Sequence, residues 1–120
     1  MDDRLRFIQY KENEVLFVDL SQATKQEILV LLPDIQDIIT QRPQNSVLVL
    51  GDFTSAQIDK AVATRIKEVL VFDRPYVKRA AWVGTSTLPK VFLEGFKTFS
   101  RREFTAFDTR EEAMDWLVKD

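Results

Sequence analysis

The chain has 120 residues, the size of one compact domain, and its 45% hydrophobic content is that of a globular protein rather than a disordered one. With 17 Lys and Arg against 19 Asp and Glu, the net charge of -2 disfavours a general polyanion binder. There is no cysteine and no histidine, which excludes disulfides, thiolate nucleophiles, imidazole acid–base catalysis and nearly every zinc site.

Residues 5–10 are β-prone, with Leu5, Phe7 and Tyr10, and end at the polar stretch Lys11-Glu12-Asn13-Glu14. Val15-Leu16-Phe17-Val18 follows and is closed by Asp19. The pattern predicts a hairpin with a four-residue turn, and Arg6 and Gln9 place its first strand at the sheet edge. From Thr24 the period changes to that of a helix of about 18 residues, with Ile28, Leu31, Leu32, Ile35, Ile38 and Ile39 on one face. Ser21 or Thr24 caps its start, and Glu27 completes a capping box with Thr24. Pro33 is expected to kink this helix or split it in two.

Ser46-Val47-Leu48-Val49-Leu50 reads as a strand buried on both faces and ended by Gly51-Asp52. A second helix presents Ile58, Val62, Ile66, Val69 and Leu70 inward and stops before Pro75. Arg79-Ala80-Ala81-Trp82-Val83 is the next strand, ended by Gly84. Leu88, Val91, Phe92, Phe96 and Phe99 form a third helical stripe, with Pro89 in its first turn. Residues 103–107 are the last strand, and a short helix over 110–119 turns Ala113, Met114 and Leu117 inward. The expected fold is a single α/β domain that begins with a β-hairpin and continues as βα repeats. Its five-stranded sheet is mixed, mostly parallel, and flanked by four helices.

This order resembles that of the STAS-like proteins, relatives of anti-sigma-factor antagonists and of the cytoplasmic domain of sulfate transporters. The likeness is strongest at Glu103-Phe104-Thr105-Ala106-Phe107-Asp108, followed by Glu111-Glu112-Ala113-Met114-Asp115-Trp116-Leu117. It implies a STAS-like fold and a non-enzymatic regulatory or protein-interaction module, without cofactor, acting on a protein partner or on a second copy as a homodimer. Some relatives are likened to lipid-transfer folds, which implies as the alternative a domain for a lipid or small apolar ligand, built around residues 88–99. Anti-sigma-factor antagonists carry Asp-Ser-Ser-Gly after the central strand. Here that motif falls on Asp59-Lys60-Ala61-Val62, which keeps the aspartate and lacks the hydroxyl, so the phosphoserine switch does not transfer. Thr54 and Ser55, earlier in the same segment, are the candidate phospho-acceptors, and their simpler role is to cap the helix.

Ligands of open α/β sheets collect beyond the carboxyl ends of parallel strands, where Asp19, Asp52, Thr85, Ser86 and Asp108 fall. They are a candidate ligand site, although such residues commonly cap helices, and no catalytic residue or metal is assigned. The acidic pair and lysine of a response-regulator receiver are missing from these strand ends.

Residues 60–102 hold 10 basic and 3 acidic side chains, whereas residues 1–59 hold 5 and 10. Lys97, Arg101 and Arg102 are the candidate anion-binding cluster, for an acidic partner, a lipid headgroup or an anionic membrane surface. Nucleic acid is disfavoured because the neighbouring phenylalanines keep core spacing. Phe72, Tyr76, Leu88, Val91, Phe92, Phe96 and Phe99 are the candidate apolar interface or pocket. Residues 1–6 lack the basic start and apolar core of a signal peptide, and the longest apolar run, 28–32, is far short of a membrane span. A cytoplasmic protein is expected.

Overall fold

The hairpin forms as patterned, but its turn is tighter than four polar residues suggest. In the computed structural model, which describes residues 3–100 and 104–119, β1 (Leu5–Tyr10) and β2 (Asn13–Asp19) pair antiparallel from Leu5 opposite Val18 to Tyr10 opposite Asn13. Only Lys11 and Glu12 are left to turn the chain, with φ of 47° and 67°. Two residues at positive φ match the twist of the flanking strands. Asn and Gly reach that conformation at lower cost, and their absence from both positions hid the short turn.

Thr24 opens α1 (Lys25–Thr40) with a complete capping box: its Oγ1 accepts from the Glu27 amide, and the Glu27 carboxylate accepts from the Thr24 amide. The helix runs unbroken through Pro33, so of the kink or split expected there the split does not occur. Ile28, Leu31 and Leu32 before the proline and Ile35 and Ile39 after it bury on one face. The exposed ring therefore costs a backbone hydrogen bond on the solvent side, while the packing on both sides holds the helix together.

β3 (Val47–Asp52) continues through Gly51 and Asp52, which extend the strand rather than end it. Gly51 lies opposite Val18 of β2 and Trp82 of the next strand, so both neighbours hold it in register. Asp59, not Thr54 or Ser55, caps α2 (Lys60–Asp73), accepting from the Val62 amide at 2.9 Å. β4 (Val77–Val83) leads through a short 3-10 turn, Thr85–Thr87, to α3 (Lys90–Ser100). The Pro89 carbonyl accepts the amides of Phe92 and Leu93 at the start of α3. β5 (Phe104–Phe107) and α4 (Arg110–Leu117), capped by Thr109, complete the described chain.

Among the described residues the sheet has the strand order β1-β2-β3-β4-β5, antiparallel only at β1–β2. Each crossover moves one strand further in the same direction, so its right-handedness puts α1, α2 and α3 on the same face. There Leu16, Val18, Ile28, Leu32, Val62, Ile66, Trp82 and Phe96 form the larger core. Among the described residues the other face is covered by α4 alone, whose Ala113, Met114 and Leu117 pack on Val15, Phe17, Leu48, Leu50, Ala81 and Val83.

Candidate functional site

The strand ends carry a charged clasp. Asp52, 4% exposed, ends β3 and folds its Oδ1 back to accept from the Thr54 amide at 2.9 Å and hydroxyl at 2.7 Å. Its Oδ2 accepts from Arg110 Nε at 2.9 Å and Nη2 at 2.6 Å. Burial pushes the Asp52 carboxyl up, but the Thr54 donors and the Arg110 guanidinium outweigh it and hold the group below its ordinary value. Asp19 ends β2 in the same way, accepting from the Ser21 amide and hydroxyl, and stands 3.7 Å from Arg110 Nη2. The Arg110 guanidinium also lies 4.6 Å from the centre of the Phe17 ring. One arginine at the first position of α4 thus ties the ends of β2 and β3 to the helix on the opposite face.

Asp19 and Asp52 are brought together by this arrangement. Thr85, Ser86 and Asp108 make no hydrogen bond or ion pair to either carboxylate among the described residues. A strand-end crevice arises where strand order reverses, and this sheet runs from β1 to β5 without a reversal. Among the described residues no group of three acidic side chains converges to hold a metal ion. Of the turns after the strands only the one after β5 caps its helix among the described residues, through Thr109 next to Asp108, while α1 and α2 are capped further on by Thr24 and Asp59. Thr54 is engaged with Asp52, and Ser55, at φ 56°, donates its amide to Thr87 Oγ1 at 3.3 Å. Gly84 closes on this turn at φ 72°, where a Cβ would stand 2.2 Å from Thr54 Oγ1. Both hydroxyl residues remain exposed.

The apolar candidates separate. Leu88 and Phe96 are buried, and Phe96 joins Trp82 at 5.7 Å between ring centres and Phe53 at 6.5 Å, so both residues belong to the core. Tyr76 and Phe92 are half-buried against it. Phe72 is 60% and Val91 72% exposed. Val71, beside Phe72, is 40% exposed, and the two border a shallow groove along α2 with Thr64, Lys67 and Glu68. Lys97 is exposed, whereas Arg101, Arg102 and the Phe99 side chain lie outside the described residues. The described basic residues of 60–100 are spread over both faces of the sheet. Arg65 pairs with Glu68 on α2, while Arg79 caps the end of α4, donating to the carbonyls of Trp116, Leu117 and Lys119.

A cavity of about 100 Å³ lies between α1, α2 and the sheet. Leu32, Ile35, Ile39, Ile66, Leu70 and Trp82 are among the apolar side chains that line it, and Asp73 and Arg74 bring charge to it. Asp73 is the last residue of α2, 4% exposed, and its Oδ1 has no hydrogen-bond partner. Burial alone pushes its carboxyl up from 3.8 to about 7. The turn 73–76 enters β4, so this charged end of the cavity lies at the amino-terminal edge of the sheet, away from the strand ends where a site was expected. Asp73 was missed although its signal was present: it continues the α2 stripe Val62, Ile66, Val69 by one further helical step. Arg110 was missed as well, and its signal is a basic residue in a first helical turn, where acidic ones are preferred.

No protein-family model and no curated protein matches the chain. Among solved structures it is similar to an uncharacterized protein from Shewanella loihica PV-4, of the DUF3478 family with a SpoIIAA-like fold. The two superpose with a TM-score of 0.74 over 94% of this chain and 91% of that one, at 17% identity. The chain therefore has a SpoIIAA-like fold, as the STAS-like resemblance implied. Among the described residues no helix is long and apolar enough to cross a membrane.

Proposed function

We propose that this protein is a non-enzymatic regulatory or protein-interaction module. The observation that carries this reading is the apolar end of α2, where Val71 and Phe72 stand 40% and 60% exposed beside a shallow groove. Adjacent exposed apolar side chains along a groove offer surface of the kind that interfaces bury, with an aromatic as anchor. The fold is in keeping with the role, since STAS-like domains typically act by binding. The partner is a protein or a second copy of the chain, and the phosphoserine motif is replaced. Native mass spectrometry of gently purified protein, beside a V71S/F72S variant, tests this. A dimer or a defined complex in the wild type that is lost in the variant supports the reading, and an identical monomer in both overturns it.

A second reading is favoured by the cavity: the domain holds a small apolar ligand between α1, α2 and the sheet. Its volume is about two-thirds of the roughly 150 Å³ of an engineered apolar cavity that stays dry and takes benzene. The pocket expected around residues 88–99 shifts to the other side of α2, because Leu88 and Phe96 are used in packing. An adduct of ligand mass in the same native spectrum, lost on denaturation, supports this reading. Absence of any shift in the Ile35, Ile39 and Ile66 methyl resonances with added apolar probes overturns it.

A further inference from the structure

Asp73 has a placement that the fold itself does not require. A carboxyl group in the last turn of a helix faces the negative end of the helix dipole. Here it is also 4% exposed, and its Oδ1 is unpartnered. A buried polar group without a hydrogen bond is costly, and a buried carboxylate without a counter-charge is costlier still. The turn after α2 uses the backbone of Asp73, whose carbonyl accepts from the Tyr76 amide, and any residue supplies that carbonyl. The preceding stripe positions Val62, Ile66 and Val69 are apolar, so a leucine at 73 would extend it at no electrostatic cost. Arg74 borders the same cavity, yet no ion pair joins it to Asp73 among the described residues. What remains is a buried carboxyl at the wall of an apolar cavity, with one acceptor that the fold leaves without a donor.

We infer that the cavity reads the head group of its ligand through Asp73, and that this ligand is a small amphiphile with one hydrogen-bond donor, an alcohol or a primary amine, on an aliphatic body. The inference rests on the second reading above, that the cavity takes an apolar ligand at all. The aliphatic body packs on Ile35, Ile39, Ile66 and Leu70, and the donor meets the Asp73 carboxyl. An alcohol supplies one hydrogen bond to either form of the carboxyl. An ammonium supplies charge as well and selects the ionised form, which burial otherwise opposes. A carboxylate-headed chain is the natural control, because an ionised Asp73 would repel it while Arg74 at the same wall would attract it.

Four six-carbon probes separate these outcomes: hexylamine, 1-hexanol, hexanoate and the donor-free pentyl methyl ether. Their binding is read from the methyl resonances of Ile35, Ile39 and Ile66 in the full chain. The expected result is that hexylamine and 1-hexanol bind at least 10-fold tighter than the ether and hexanoate, with the preference reduced to about 2-fold in D73L. D73N serves where D73L fails to fold: it keeps an acceptor, so the preference for hexylamine falls while that for 1-hexanol persists. Equal binding of all four probes overturns the head-group assignment and leaves the apolar cavity standing. Tighter binding of hexanoate also overturns it and assigns the head group to Arg74. No methyl shift with any probe, the ether included, overturns the cavity reading together with the inference.

Discussion

Replacing Asp73 by asparagine removes one charge, keeps the shape, and should change how stability responds to pH. The carboxyl titrates near 7 in the folded chain against an ordinary value of 3.8, and burial is the whole cause. Between those values the folded chain holds a proton that the unfolded chain has released, so stability falls as pH rises. The stabilisation by the neutral form is complete below the unfolded value and is gone once pH passes the folded one. At about 1.4 kcal/mol per pH unit, the full span amounts to about 4 kcal/mol, of which about 2.5 kcal/mol falls between pH 5 and pH 8. No histidine or cysteine is present to titrate in that window. The carboxyls of Glu27, Asp52, Asp59 and Asp115 are held below their ordinary values, so their contributions are present above that range and are lost only in acid. Urea unfolding of both proteins at pH 5, 6, 7 and 8 measures the difference. Wild type should lose about 2.5 kcal/mol across the series while D73N stays flat to about 0.5 kcal/mol. Parallel curves would show that water or a neighbouring donor already satisfies the carboxyl, and would refute the reasoning.

Three further outcomes follow from the packing. R110M should destabilise by about 2 kcal/mol, below the range for fully buried pairs because the arginine is half exposed, and a double-mutant cycle with D52N should return a coupling above about 1 kcal/mol. A cycle coupling near zero would show that Arg110 acts only through its contact with Phe17. G84A should cost about 3 kcal/mol or more, since φ of 72° is unfavourable for alanine and the new Cβ would lie 2.5 Å from the Thr54 amide nitrogen. A T54A change should not rescue it, because the clash is with backbone, and recovery of the thermal midpoint in the double variant would contradict that. P33A should stabilise by about 1–2 kcal/mol by restoring a helix hydrogen bond on an exposed turn, and an unchanged or lower urea midpoint would count against the solvent-side cost.

Much of the architecture was legible because it depends on local period. The two-residue alternation and apolar runs of the strands, the three- and four-residue steps of α1 and α2, and Thr24 with Glu27 are properties of neighbouring residues, and they appear where the pattern placed them. The edge position of β1 follows from its polar residues. Two errors and one open choice were also local. Lys11 and Glu12 make a tight turn without its usual residues, Gly51 and Asp52 stay in strand because β2 and β4 hold them, and Pro33 is tolerated because packing on both sides of it outweighs one lost hydrogen bond. The site was less legible, because it is made by contacts far apart in sequence. Nothing local to Asp52 or Arg110 announces that they meet 58 positions apart, and Asp73 is only an aspartate near a helix end until α1 and the sheet remove its water. Sequence by itself determined the elements, their order and the one-domain α/β fold, since periodicity and turn chemistry act over a few residues. Tertiary structure alone decided that the strands run in order without a reversal, that the carboxylates at their ends are joined by Arg110, and that a buried carboxyl faces an apolar cavity at the other edge, because burial and charge pairing depend on what the rest of the chain brings near.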